Sequence, residues 1–295
     1  GTRRVYPDND IPAQHRASVA DFANTGFDKG HLAPLASANF SPKAEREANT
    51  LSNMVLQSPE LNRGLWNHPT RPDWNPGNGG LCLHTIAPWP GDPQRLLVAI
   101  SAVGVWLSDD GGASCRYSNE GIVPEYVPEE ARGNPITHCV HDVRRSPGRP
   151  ERLFMQFHGG VYRSDDAGAS WIDVGDDTDL PSDFGFPVVV DPADPDSAYV
   201  IPLIGAEDRT PPGGAMRVWE TRDAGASWRP RGDGLPARDA YLTILREAFD
   251  SAGEGDGLEL YFGATSGDVF GSADAGATWS SVAEHLPPVY SVRTA

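Results

Sequence analysis

Two stretches near the start of the chain carry residue types suited to hydrolytic chemistry. Residues 26–36, GFDKGHLAPLA, set Asp28, Lys29, Gly30 and His31 in a row, and residues 50–66, TLSNMVLQSPELNRGLW, add Asn53, Asn62 and Arg63. An imidazole with a near-neutral pKa can take a proton from water. A side-chain amide oxygen is a hard donor that suits Mg2+, an ion that keeps most of its own waters. Phosphodiester hydrolysis uses such a pairing, the cation stabilising the leaving oxygen. Taken alone, a histidine in a Gly-His-Leu stretch is more often structural than catalytic.

The rest of the chain offers weaker sets. Cys82-x-His84 and Cys139-x-His141 stand 57 residues apart. Residues i and i+2 of a strand share a face, which raises a zinc site of two cysteines and two histidines. Equivalent residues of successive repeats point the same way, however, and packed sheets lie ~10 Å apart. The four are therefore expected to be structural, each pair facing its neighbour. Asp183, Glu207 and Asp208 fall in loops and could supply the carboxylate pair of a glycosidase, ~5–9.5 Å apart; the plainer reading is solvated surface. Trp74 and Trp89 could stack on a sugar, and the plainer reading is core or turn anchoring. Cys82, Cys115 and Cys139 are the only cysteines, an odd, sparse set that reads as buried thiols rather than a disulfide scaffold.

The elements that must position the first set form a short frame. Residues 27–32 read as a strand, residues 36–49 as a loop with a short helical piece, and residues 50–57 as a second strand. A helix follows with Ser58 as N-cap, Pro59 at its first position and Glu60 in its first turn. Pro69 and Pro72 end it by about Asn67, since proline lacks the N–H and clashes with the preceding turn.

Beyond that frame the text repeats. SDDGGASC, SDDAGASW, TRDAGASW and SADAGATW share the pattern S/T-x-D-x-G-x-S/T-W, with Asp110, Asp166, Asp223 and Asp274 spaced by 56, 57 and 51 residues. A period near fifty residues marks an array of supersecondary units. Each box follows two strand-like segments, as in DPQRLLVAI then GVWLS, or RPERLFMQF then GVYRS. The box suits a turn. Glycine permits positive φ, the Asp carboxylate can accept backbone N–H groups inside the bend, and Trp171, Trp228 and Trp279 can anchor the hairpin between sheets. Cys115 stands where the first box would have its tryptophan.

Across 295 residues, Gly 32 and Pro 27 fit a turn-rich β protein. Charge is unevenly placed: residues 1–67 hold seven Lys/Arg and seven Asp/Glu, so the remainder carries the whole −17. A surface that acidic repels phosphate backbones, so nucleic-acid binding is expected to be weak. No stretch approaches the ~20 apolar residues of a membrane helix. The chain opens at Gly1 without a charged-then-apolar leader, which reads as a processed form or a fragment and leaves the compartment open.

Residues 17–66 resemble the DNA/RNA non-specific endonucleases of the ββα-metal (His-Me finger) class, with their D-R-G-H-x-A-P and S-N…L-N-x-G-x-W signatures. The resemblance implies a general base at His31 and a single protein ligand for Mg2+, or Mn2+ in its place, at Asn62. Asp28 would shape the strand end and Asn53 would support the site from the second strand, with Lys29, Gly30 and Arg63 completing the motifs. Lys29 replaces the family's usual Arg, keeping the charge without the bidentate fork. The chain from about residue 65 resembles the Asp-box (BNR) repeat propellers of sialidase- and sortilin-like proteins, described as BNR-repeat glycosyl hydrolases.

The implied fold is mainly β: a truncated α+β nuclease-like segment over residues 1–66, then an Asp-box β-propeller over residues 67–295 with four recognisable blades. The implied function is a metal-dependent endonuclease segment fused to a propeller, with nucleic acid as substrate. One alternative is a propeller that binds or hydrolyses carbohydrate. Another is an inactive chimera, joined within ELNRGLWNHPTRPDW.

Overall fold

The computed structural model describes Ser18 and residues 28–31, 54–57 and 82–294. The chain divides into two units, Gly1–Pro72 with Gln94–Leu96 and Ser108–Arg116, and Asp73–Pro93 with Leu97–Leu107 and Tyr117–Ala295. In the first, β1 (Asp28–His31) and β2 (Met54–Gln57) pair antiparallel, setting Asp28 opposite Gln57, Lys29 opposite Leu56, Gly30 opposite Val55 and His31 opposite Met54. Both strands fall inside the stretches expected to be extended. The expected helix, with Asn62 and Arg63, lies outside the described residues, as does Asn53.

Four further sheets follow, each a four-stranded meander in chain order. The first holds β3 (Leu83–Trp89), β4 (Asp92–Ile100), β5 (Gly104–Ser108) and β6 (Arg116–Tyr117). The second holds β7 (Val140–Arg145), β8 (Leu153–Phe157), β9 (Gly160–Ser164) and β10 (Ile172–Asp173). The third holds β11 (Gly185–Val190), β12 (Ala198–Pro202), β13 (Val218–Thr221) and β14 (Arg229–Arg231). The fourth holds β15 (Phe249–Ala252), β16 (Glu259–Gly263), β17 (Val269–Ser272) and β18 (Ser280–Ala283). The sequence segments DPQRLLVAI, GVWLS and GVYRS coincide with β4, β5 and β9.

The packing follows from strand alternation. β8, β11 and β12 are buried at every position, as strands covered on both faces must be. Leu153, Met155 and Phe157 of β8 join Leu97, Ala99, Val140 and Trp171 in one core, while Phe154 faces the other way and joins Val188, Val200 and Trp228. A third core unites Tyr199 and Val218 with Phe249, Leu260, Phe262 and Trp279. Each core fills the gap between two successive sheets. The leading strands are neighbours in the same sequence, β3 beside β7, β7 beside β11 and β11 beside β15. Meander sheets stacked this way, leading edges together, are blades of a propeller. Arg152, itself buried, pairs with Asp165 inside the second blade and ties that blade to the third through Asp196 Oδ1 at 2.6 Å.

Candidate functional site

β1 carries Asp28, Lys29, Gly30 and His31 on one strand, and antiparallel pairing brings its His31 end level with the start of β2. The sequence then runs from β2 directly into the 58–66 stretch that bears Asn62 and Arg63. This order, strand, strand, then the Asn-bearing segment, is the frame of the hydrolytic candidate.

The four repeated boxes have one geometry. Ser108 Oγ donates to Asp110 Oδ1 at 2.8 Å and accepts the Gly112 N–H at 2.8 Å. Asp110 also accepts the Ser114 N–H at 2.8 Å and the Ser114 hydroxyl at 2.6 Å. The same bonds recur around Asp166, Asp223 and Asp274. Hydrogen bonds from the Ser114 side chain and backbone hold Asp110 down at about 2, and Thr278 likewise lowers Asp274. These carboxylates are spent on backbone turns, with no free oxygen directed at a substrate. Trp171, Trp228 and Trp279 are buried, and the Trp228 indole N–H donates to Val174 O at 2.8 Å.

The loop acids differ among themselves. Glu207 is exposed, and Asp208 accepts the Thr210 hydroxyl within the same loop at 2.7 Å. Asp183 is half-buried, and its pKa rises to about 6 through burial and then the nearby Asp176 and Asp173 carboxylates. Trp89 has Arg145 over its ring at 5.1 Å, which favours an anchoring role, and Trp74 lies outside the described residues.

Cys139 and His141 do not face the first blade alone. They meet His158, from the turn between β8 and β9, with one ligand atom of each within 4.8 Å of the others. The sequence gives no motif around His158, so only the hairpin register reveals it.

Residues 3–69 match the family model for DNA/RNA non-specific endonucleases. Mitochondrial endonuclease G from Bos taurus is 43% identical over 63 residues, 21% of this chain and 21% of that protein. The Homo sapiens protein is 44% identical over 61 residues, 21% of this chain and 20% of its own length. The chain thus spans about a fifth of the curated relatives it matches. Among solved structures, an ancestral GH74 enzyme overlays with a TM-score of 0.50 at 18% identity, covering 71% of this chain and 25% of that one. That likeness concerns the fold alone. The chain joins an N-terminal stretch matching the DNA/RNA non-specific endonuclease family to a β-propeller of four described blades.

Proposed function

We propose that residues 1–66 form a metal-dependent phosphodiester-cleaving module, and that residues 67–295 are an Asp-box propeller that carries it. The observation behind this reading is that one family match, over residues 3–69, contains both motif stretches in order, with β1 and β2 falling within them. His31 takes the proton of the attacking water at an imidazole nitrogen. Asn62 offers a neutral amide oxygen, a donor that fits Mg2+ or Mn2+ better than a soft ion. When bound, the ion supplies charge stabilisation at the leaving oxygen. Lys29 meets phosphate as a point charge, Asp28 shapes the strand end, and Asn53 supports the site from the position before β2.

The test is plasmid and RNA cleavage with Mg2+ or Mn2+, comparing the full chain with His31→Ala. Cleavage by the wild type and its loss in the variant are expected. Equal rates in the two would reject the module and favour an inactive chimera. The acidic propeller keeps nucleic-acid affinity weaker than micromolar at physiological salt.

Asp183 gives a second reading for the propeller. A carboxyl raised to about 6 has the property of a glycosidase general acid, so carbohydrate would be the partner. Release from a panel of sialosides and β-glucans, abolished by Asp183→Asn, is the outcome that supports it.

A further inference from the structure

The second blade concentrates three metal-ligating side chains where its neighbours do not. Cys139 lies just before β7 and His141 within it, and their ligand atoms lie within 4.8 Å of each other. The register of β7 against β8 shifts between Val140 and Asp142, so an irregularity falls at His141 itself; such bulges re-aim a side chain. Across the hairpin, the His158 N–H donates to Cys139 O at 3.0 Å, which fixes His158 beside the thiol. The first blade has the same backbone bond, from Ser101 N–H to Cys82 O at 2.9 Å. There Ser101 occupies the place of His158, so Cys82-x-His84 lacks its third partner.

One ring is already held as a metal-ligating histidine would be. His141 is 1% exposed, and its Nδ1 lies 2.6 Å from Gly185 O. A carbonyl only accepts, so Nδ1 carries the proton and Nε2 presents a lone pair. This is the backbone-oriented arrangement of metal-ligating histidines. Burial, then Arg246, holds His141 well below the usual histidine range, and burial lowers His158 as well. Burial pushes the Cys139 thiol up, with the Arg246 guanidinium opposing it. These directions argue against a thiolate–imidazolium catalytic pair, which needs a charged histidine. His84, pushed down to about 3 mainly by burial, adds a further neutral ring whose Nε2 is buried without a hydrogen-bond partner among the described residues.

We propose that Cys139, His141 and His158 together form a site for one zinc-like divalent ion, with a fourth position left to water. Ligand atoms around tetrahedral zinc stand ~3.3–3.8 Å apart, given bonds of ~2.0–2.3 Å. The ligand atoms lie within 4.8 Å of one another, so they must draw together by about 1 Å to take up that geometry. Binding replaces the Cys139 S–H bond by a sulfur–metal bond and releases one proton, while the imidazoles release none. Arg246 repels the ion but also favours the thiolate, whose negative charge offsets one positive charge.

The experiment uses the full chain, stripped with a chelator and titrated with Zn2+ or with Co2+ as a spectroscopic reporter. One equivalent of zinc should survive dialysis, and Co2+ should give a thiolate-to-metal charge-transfer band. An oxygen-ligated site in the N-terminal segment cannot produce that band. Cys139→Ser should abolish it, and His158→Gln should weaken Zn2+ binding at least tenfold, both with an unchanged melting point in the absence of metal. Cys115→Ser should change nothing. Absence of stoichiometric zinc, a band that survives Cys139→Ser, or one that depends on Cys82 instead would overturn the assignment.

Discussion

The third and fourth boxes allow one substitution to be made in two settings with the backbone held constant. Gly225 has φ +88° and Gly276 φ +83°, so alanine at either meets the same left-handed penalty of ~1–2 kcal/mol. The gain from a less flexible unfolded chain, ~0.4–1 kcal/mol, is also common to both. What differs is the space. A Cβ on Gly225 would stand 2.5 Å from Val174 Cβ and 2.8 Å from its Cγ2, a branch point fixed to the backbone of the preceding blade. A Cβ on Gly276 would meet nothing closer than Leu260 Cδ1 at 3.3 Å, the far end of a rotatable side chain. Forcing a methyl into a packed site costs ~1–3 kcal/mol, and that cost falls on Gly225 alone. Gly225→Ala should therefore destabilise by ~2–4 kcal/mol and Gly276→Ala by ~1 kcal/mol. Urea unfolding followed by tryptophan fluorescence reads this as a larger fall in midpoint at unchanged slope. Equal losses, or a greater loss for Gly276→Ala, would show that the box does not seat on the preceding blade as argued.

Two further outcomes follow from the boxes and the acid loop. Trp228→Ala removes a side chain 1% exposed together with its hydrogen bond to Val174 O, so a loss of ~3–5 kcal/mol is expected in urea. Half-buried Cys115→Ala should cost under ~1 kcal/mol, and equal losses would deny the tryptophan its anchoring role. Asp183 has a folded pKa of about 6 against the ordinary 3.8, so the folded state holds its proton more tightly. Its contribution to stability is full below pH 4 and is lost as pH rises through 6. Asp183→Asn should be more stable than wild type by ~1 kcal/mol at pH 7, after discounting for solvent around a half-exposed group, and should converge with it at pH 4. Urea midpoints at both pH values test this; a difference that persists at pH 4 would place its cause elsewhere.

The blades are legible in the sequence because their signals are local. The box Asp bonds only to residues within four positions, so its spacing in the text is its geometry. The flanking apolar runs carry their burial on both faces as continuous hydrophobicity, and β4, β5 and β9 emerge where the text places them. Asp183 is less legible. Its identity as a loop acid is plain, but its raised pKa comes first from burial and then from Asp176 and Asp173, and burial is set by the fold of the second blade rather than by neighbouring letters.

The cysteine–histidine cluster shows where repeat logic misleads. Equivalence between repeats implies that ligands come from matching positions of adjacent blades, ~10 Å apart. The proposed third ligand comes instead from the same hairpin, at a position that a backbone bond defines in each described blade. That position holds Ser101 in the first blade, His158 in the second, Leu203 in the third and Gly263 in the fourth, each donating N–H to Cys82, Cys139, Phe184 and Ala248 respectively. Only the second of these four blades combines a thiol, an i+2 histidine and a cross-strand histidine. In the third blade the equivalent face is aromatic, Phe184 and Phe186, and those rings pack edge-on and tilted against His141 at 5.6 and 4.7 Å. These apolar neighbours exclude water from the buried His141 ring. The proposed site lies where the second blade departs from the other three described blades, at the position that His158 shares with Ser101, Leu203 and Gly263.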